Sequence, residues 1–427
     1  MINEAMTAGG RSFHTPEHVF ALVDDRNPHT TLAALFHDLV YYQVDLGFIP
    51  EIAQAVQTAV EARGEGLWLR RPDPSEDRSL DICMAVFGLR PGEQLSPFGG
   101  MNEFLSALVM HRKLAGVLRE RDLVPATACI EATIPFRPAD EDGRTPAERL
   151  EGRLRAASDT LGLSLSGAAV EQIVRGAVLF ANRDVANFAE SEVTRFLDNT
   201  WKLLPETNPS LRMQGVYSIR SYRVALQKMN GFLRGLDPAT IFAQYRGAPP
   251  AGELRLMRER GQRNITTARD YLGIKLLTAA VLEALAEISG GDMPMSLVMG
   301  DIGATERGSR LEDYLADPAP NGGAPLDPTL RDLLAYGRAS ASHFDLQNSP
   351  VSLYVYRHLG SQGCRELLEA AQRMFAGTLS PRGFLDSLPA DMTASIAEGC
   401  ARMAFTRAPD LFGYAERRRS GSPSFSS

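Results

Sequence analysis

Apolar residues recur at intervals of three and four along most of this chain, and strand-like alternation is scarce. That pattern commits the chain to helices packed on helices, an all-α architecture. The spacing predicts helices over 15–26, 30–42, 50–63, 101–121, 145–162, 167–181, 183–204 and 210–234. Further helices are expected around 264–289, 328–340, 350–358, 363–376 and 388–404. Thr15 is the expected cap of the first, with Pro16 at the first helical position and Glu17 where the helix dipole favours a negative charge. Thr30 or Thr31 is the expected cap of the second, after an Asn27-Pro28 breaker. The run LVPATACIEATIPF (123–136) stays open between strand, turn and buried helix.

A chain of 427 residues exceeds one ordinary core, so two domains or three are expected. YRGAPPAGE (245–253) shifts composition and carries a Pro-Pro pair, which makes it the expected boundary. The division is then 1–246 and 251–416, with a polar, Ser-rich and disordered tail at 417–427. GEGLWLRRPDPSEDRSLD (64–81), RPADEDGRTPAE (137–148) and DPAPNGGAPLDP (317–328) read as excursions or loops.

The net charge of -7 does not favour nucleic acid or an anionic membrane as partner. Cys83, Cys129, Cys364 and Cys400 are too few and too far apart for a disulfide scaffold or a structural zinc site. MINEAMTAGGRS has no apolar core for a secretory signal, and no uncharged apolar run reaches about 18 residues. KLLTAAVLEALAEI is the most apolar stretch and carries Glu283 and Glu287. A cytoplasmic enzyme or binding protein is expected, and a homo-oligomer is compatible with the sequence.

Four of the seven histidines fall between positions 14 and 37, in FHTPEHV, in DDRNPHT and in AALFHDLVY. His14 and His18 are four apart, so they share a helix face or stay close across the first turn. His37 and Asp38 diverge by about 100° on a continuous helix, yet both can reach an ion lying beside it. Ala33, Ala34, Leu35, Phe36, Leu39 and Val40 suggest a buried wall around them. An unpartnered Asp38 would be costly there, and a bound cation removes that cost.

These segments resemble the HD-domain metal-dependent phosphohydrolases. FHTPEHV is similar to the opening YHTxxHI-type segment of the small members, and AALFHDLVY to their AAWFHDxVY segment. The 19-residue step from His18 to His37 is typical of them. GAVLFANRDVANFA (176–189) supplies Asp184 as the final aspartate, with Asn182 and Arg183 where the family has an acidic and a small residue. CIEATIPF (129–136) resembles IxATxxH, with Phe136 at the place of a frequent histidine. RSYRVALQKMNGFL and IFAQYR resemble the closing helices, so the likeness covers about residues 11–246 and does not extend to 250–427.

The resemblance implies an HD-type helical bundle followed by a second helical domain of unknown role. It implies His18, His37, Asp38 and Asp184 as ligands of a divalent ion (Mn, Fe, Co, Ni, Zn or Mg). His14 matches the histidine that protonates the leaving oxygen in related cyclic-nucleotide phosphodiesterases, and Asp38 or Asp184 would orient the attacking water. The implied reaction is hydrolysis of a phosphate ester on a nucleotide or other small phosphorylated molecule. Arg183, Lys228 and Glu131 are candidate substrate contacts. One metal is expected, because His111 is the single further histidine before Asp184, with Glu131 as the other added candidate. A non-catalytic regulatory module that binds a nucleotide or metal is the alternative. Iron-dependent oxidation is another, and it would need more ligands.

Other polar residues have plainer readings. His29 is a loop residue, and His343, His358 and Asp345 form either a second site or satisfied polar groups. Arg220 and Arg223 fit a solvated face, and Tyr41, Tyr42 and Trp68 fit core packing as well as base stacking. GDIGATERG lacks the Lys-Ser/Thr of a phosphate-binding loop.

Overall fold

The computed structural model describes residues 1–24, 26–45, 47–64, 66–70, 77–213, 216–300, 308–316 and 326–421. Among these residues are eighteen α-helices and one small antiparallel sheet, so the fold is all-α. The chain forms two compact units that interleave in sequence. One comprises Met1–Glu190 with Leu236–Gln262, the other Ser191–Gly235 with Arg263–Ser427. The expected break at 245–253 therefore lies inside the first unit.

The first unit holds α1 (Ile2–Met6), α2 (Pro16–Leu22), α3 (Pro28–Phe36), α4 (Pro50–Val56), α5 (Arg78–Phe87), α6 (Met101–Leu114), α7 (Glu120–Ala132), α8 (Pro146–Thr160) and α9 (Gly167–Asp184). Strands β1 (Val60–Arg63), β2 (Gly66–Leu69) and β3 (Gln94–Leu95) pair in that order, with Val60 opposite Leu69 and Leu67 opposite Leu95. The expected helix over 50–63 thus stops at Val56 and its end becomes β1. The open segment at 123–136 is largely α7, a buried helix that packs on α3 and α9. Its residues Ala126, Ala128 and Ile130 have no exposure, which explains a run without a polar face.

Capping chemistry sets several boundaries. Thr15 precedes α2 with Pro16 at its first position. At α3 the cap is Asn27 rather than Thr30 or Thr31. Its side-chain oxygen accepts from the amides of His29 (3.1 Å) and Thr30 (3.4 Å), and Pro28 starts the helix instead of breaking it. Thr145 and Glu148 form a reciprocal capping box that ends the 137–148 loop at α8.

The expected gap between helices 167–181 and 183–204 is displaced. Helix α9 runs unbroken to Asp184, and the next helix starts at Val193. Asn182 explains how Leu236–Gln262 returns to this unit. Its amide donates to the Ala243 carbonyl (2.8 Å) and its oxygen accepts from the Ala243 N–H (2.9 Å). An aspartate would lose the donor half of that clamp.

The second unit contains α10 (Val193–Thr207), α11 (Ile219–Gly235) and most of α12 (Ala251–Ile288), a helix that begins in the first unit. It continues with α13 (Ser296–Met299), α14 (Pro328–Tyr336), α15 (Pro350–Phe375), α16 (Pro381–Asp386), α17 (Ala390–Met403) and α18 (Ala408–Ser420). The tail expected to be disordered is helical up to Ser420, and 422–427 lie outside the described residues. So do 71–76 and 317–325, the centres of two expected excursions.

Asp345 organises the interior of this unit. Its Oδ2 accepts from Trp201 Nε1 (2.7 Å), Tyr222 OH (3.0 Å), Lys275 Nζ (3.0 Å) and Arg338 (3.3 Å). Of the two readings of His343, His358 and Asp345, the satisfied-group reading fits the contacts. His358 Nδ1 lies 2.9 Å from the Tyr354 carbonyl, and His343 is exposed. Arg223 pairs with buried Glu283 rather than forming a solvated face. All four cysteines are free and buried. Among the described residues no helix is long and apolar enough to cross a membrane.

Candidate metal centre

Three separate segments bring four donor side chains together. His18 comes from α2, His37 and Asp38 from the end of α3, and Asp184 from the last position of α9. One ligand atom from each lies within 4.8 Å of all the others. His18 Nε2 is 3.1 Å from Asp184 Oδ1 and 3.5 Å from Asp38 Oδ2. His37 Nε2 is 2.8 Å from Asp38 Oδ2 and 3.4 Å from Asp184 Oδ1.

The expected helix over 30–42 stops at Phe36; His37 still has helical φ and ψ (−55°, −38°), and the Leu39 amide closes a final turn on the Phe36 carbonyl (3.0 Å). Side chains satisfy the backbone that the helix abandons. Buried Arg11 donates to the carbonyls of Asp38 (2.6 Å) and Leu39 (3.2 Å) while gripping Asp45. Ser106 Oγ accepts from the Val40 amide (2.9 Å), and Asp45 from the Tyr41 amide (3.1 Å). Arg11 therefore positions Asp38, a role its sequence context does not advertise.

Hydrogen bonding fixes how His37 presents itself. Its Nδ1 lies 3.0 Å from the Ala34 carbonyl, which can only accept. In the neutral ring the proton then sits on Nδ1, and the Nε2 lone pair faces the carboxylates. His37 Nε2 and Asp38 Oδ2 are buried and 2.8 Å apart, yet neither has a directed hydrogen bond. Two nitrogen and two carboxylate donors arranged this way fit a divalent transition ion or Mg.

The electrostatics of the four residues are strongly coupled. Burial opposes charge on His18, but Asp184 and Asp38 outweigh it and raise its pKa from 6.5 to about 9. His37 is likewise raised against burial by its two carboxylate neighbours. Asp38 is held well below its usual range against burial, by His37 and His14 among others. Asp184 falls to about 2 against burial, through His18 and His37.

These directions predict a pH profile for chelator-treated protein. The His18 contribution to stability is complete below pH 6.5 and is lost as pH rises through about 9. The Asp184 contribution is present above pH 3.8 and is lost as pH falls through about 2. Thermal melts in chelator should therefore peak between pH 3.8 and 6.5 and decline toward pH 9. Metal uptake must displace the imidazolium protons, so Mn affinity should rise with pH over the same alkaline range. Calorimetry in buffers of different ionisation enthalpy would read the released protons. A midpoint that keeps climbing from pH 6.5 to 9 without metal would contradict this coupling.

His14 lies just before α2, its ring edge-on to Tyr41 (4.9 Å) and 5.8 Å from the His18 ring. It is beside the cluster, and its charge contributes to the lowering of Asp38. Glu103 on α6 is a neighbour that motif spacing missed. Burial first, then Asp38 and Asp184, push its carboxyl up to about 7, and its Oε2 is buried without a hydrogen-bond partner. Its one sequence signal is an acid in the first turn of α6, next to the apolar run that starts at Phe104.

The other expected contacts are engaged elsewhere. Arg183 donates to the Leu22 carbonyl at the C-terminal end of α2 (3.1 Å) and pairs with Asp24 (3.5 Å). Glu131 Oε1 is taken by Arg137 (2.6 Å) and Arg153. Lys228 is exposed on α11, in the second unit. His111 Nε2 bonds Thr127 Oγ1 (2.7 Å), and burial lowers its pKa to about 4. His111 and Glu131 are thus not part of the donor cluster. Comparison of the chain with models of known families, with curated proteins and with solved structures finds no match.

Proposed function

We propose that the first unit is an HD-type metal-dependent phosphohydrolase. Its substrate would be a phosphate ester of a nucleotide or another small phosphorylated molecule. The observation that carries this reading is the convergence of His18, His37, Asp38 and Asp184, whose ligand atoms all lie within 4.8 Å of one another. A divalent ion (Mn, Fe, Co, Ni, Zn or Mg) held by these residues would supply a water of lowered pKa and neutralise phosphoryl charge. Asp38 and Asp184 each keep a second oxygen with which to orient that water. His14, steadied edge-on by Tyr41, would protonate the leaving oxygen. Arg11 would hold the Asp38 backbone in place throughout.

The test begins with chelator-stripped protein reloaded separately with each of these ions. Bound metal is counted by elemental analysis, and bis(p-nitrophenyl) phosphate and p-nitrophenyl phosphate serve as substrates. One ion per chain and metal-dependent turnover of at least one substrate are expected. Protein that takes up an ion but hydrolyses neither would favour a binding module. Protein that takes up none would overturn the metal centre itself.

A further inference from the structure

A cavity of about 300 Å³ lies within the second unit, at the lower end of the range for small-molecule sites. Three arginines line it, Arg234 from α11, Arg269 from α12 and Arg365 from α15, against a single carboxylate, Asp270, among the described residues. Arg365 and Arg234 both act on the Asp270 carboxyl, countering the upward push of its burial, and Arg365 reaches Gln362 Oε1 at 3.3 Å. Arg269 is braced by two donations to the Leu233 carbonyl (2.8 and 2.6 Å). Such bracing holds a long side chain in one orientation before any ligand arrives.

A second feature of α15 points the same way. Gly360, at φ 64° and ψ −178°, breaks that helix into two segments. The segment that restarts at Ser361 contributes Ser361, Cys364 and Arg365 to the wall, so its first turn borders the cavity. Amides and dipole at such an end favour an anion. The Tyr356 hydroxyl accepts from the Asp327 amide (2.9 Å) and lies 2.6 Å from Ser361 Oγ. With the tyrosine proton directed to Ser361, the serine proton is left for a ligand oxygen. The Cys364 thiol is pushed up to about 12 by burial, so it is no nucleophile, and the chemistry is binding rather than covalent.

We propose that this arginine-lined cavity in the second unit binds a small molecule carrying a phosphoryl dianion. The exposed guanidinium forks of Arg234 and Arg365 match phosphate oxygens in pairs. Ile274, Leu330 and Leu368 provide an apolar side for the rest of the molecule. The site shares no residue with the metal centre and does not depend on its activity.

Isothermal titration of the full chain in chelator tests it, with AMP, inorganic phosphate and succinate as probes at constant ionic strength. AMP is expected to bind saturably with one site per chain, phosphate more weakly, and succinate least. Arg234 and Arg365 are both exposed, so an Arg234→Ala, Arg365→Ala variant should keep its circular dichroism and melting curve. It should lose at least about tenfold in AMP affinity, the loss expected for charge-assisted hydrogen bonds. A His37→Ala variant should bind AMP as wild type does, which separates this site from the metal centre. No saturable AMP binding, binding unchanged by the double arginine variant, binding abolished by His37→Ala, or tighter binding of succinate would each overturn the proposal.

Discussion

Replacing His37 and Asp38 together by alanine is expected to abolish stoichiometric metal uptake and to lower phosphoester hydrolysis by at least about 10³-fold. An ion that polarises a phosphoryl oxygen and activates water contributes several kcal/mol, and each 1.4 kcal/mol is a decade in rate. The double variant removes a nitrogen and a carboxylate from a set of four, leaving His18 and Asp184. His14→Ala is the informative companion. It should retain the metal and lose about 10²–10⁴-fold in turnover, the usual worth of a general acid. Elemental analysis beside initial rates distinguishes the two outcomes. A double variant that keeps full activity would place the chemistry elsewhere, and His14→Ala with wild-type turnover would remove His14 from the mechanism.

Asp345→Ala should give the largest loss of stability in the chain, about 3–5 kcal/mol, the usual cost of removing one partner of a buried charge pair. Asp345 is 1% exposed, and its Oδ2 is the common acceptor for Lys275, Arg338, Trp201 and Tyr222. Its removal leaves an ammonium and a guanidinium buried beside each other. Lys275 then keeps Ser349 Oγ at 2.9 Å and the ring faces of Trp201, Tyr222 and Tyr271, none of which offers a counter-charge. Denaturant unfolding followed by circular dichroism measures the effect. A change below about 1 kcal/mol would contradict a buried, mutually dependent charge cluster at Asp345.

Much of the first unit's local structure was legible because its signals are local. Thr15-Pro16 marks the start of α2, and Thr145 with Glu148 marks that of α8. The Asn27-Pro28 pair was misread, because proline both breaks a helix from within and starts one from its first position. Strand β1 hides in an expected helix because four residues do not outweigh a helical period, and β2 and β3, of four and two residues, lie outside any expected helix and are too short to show alternation. The helical part of the run at 123–136 does not report its period, because a segment buried on nearly every side has no polar stripe.

The candidate centre divides in the same way. The sequence alone singled out His14, His18, His37 and Asp38 as a cluster of residue types suited to an ion, and the family resemblance added Asp184 as a ligand and His14 as proton donor. The sequence determined the helical class as well, because side-chain period and capping are properties of neighbouring residues. Only the tertiary structure decided that α3 stops at Phe36 and that Asp38 meets His18 and Asp184, under the grip of Arg11. It also decided that Glu131 and Arg183 serve other partners, and that Asn182 clamps Ala243 to bring a distant segment home. Those outcomes depend on which groups lie across a packed interior. That competition for buried hydrogen-bond partners is settled between residues far apart in the chain.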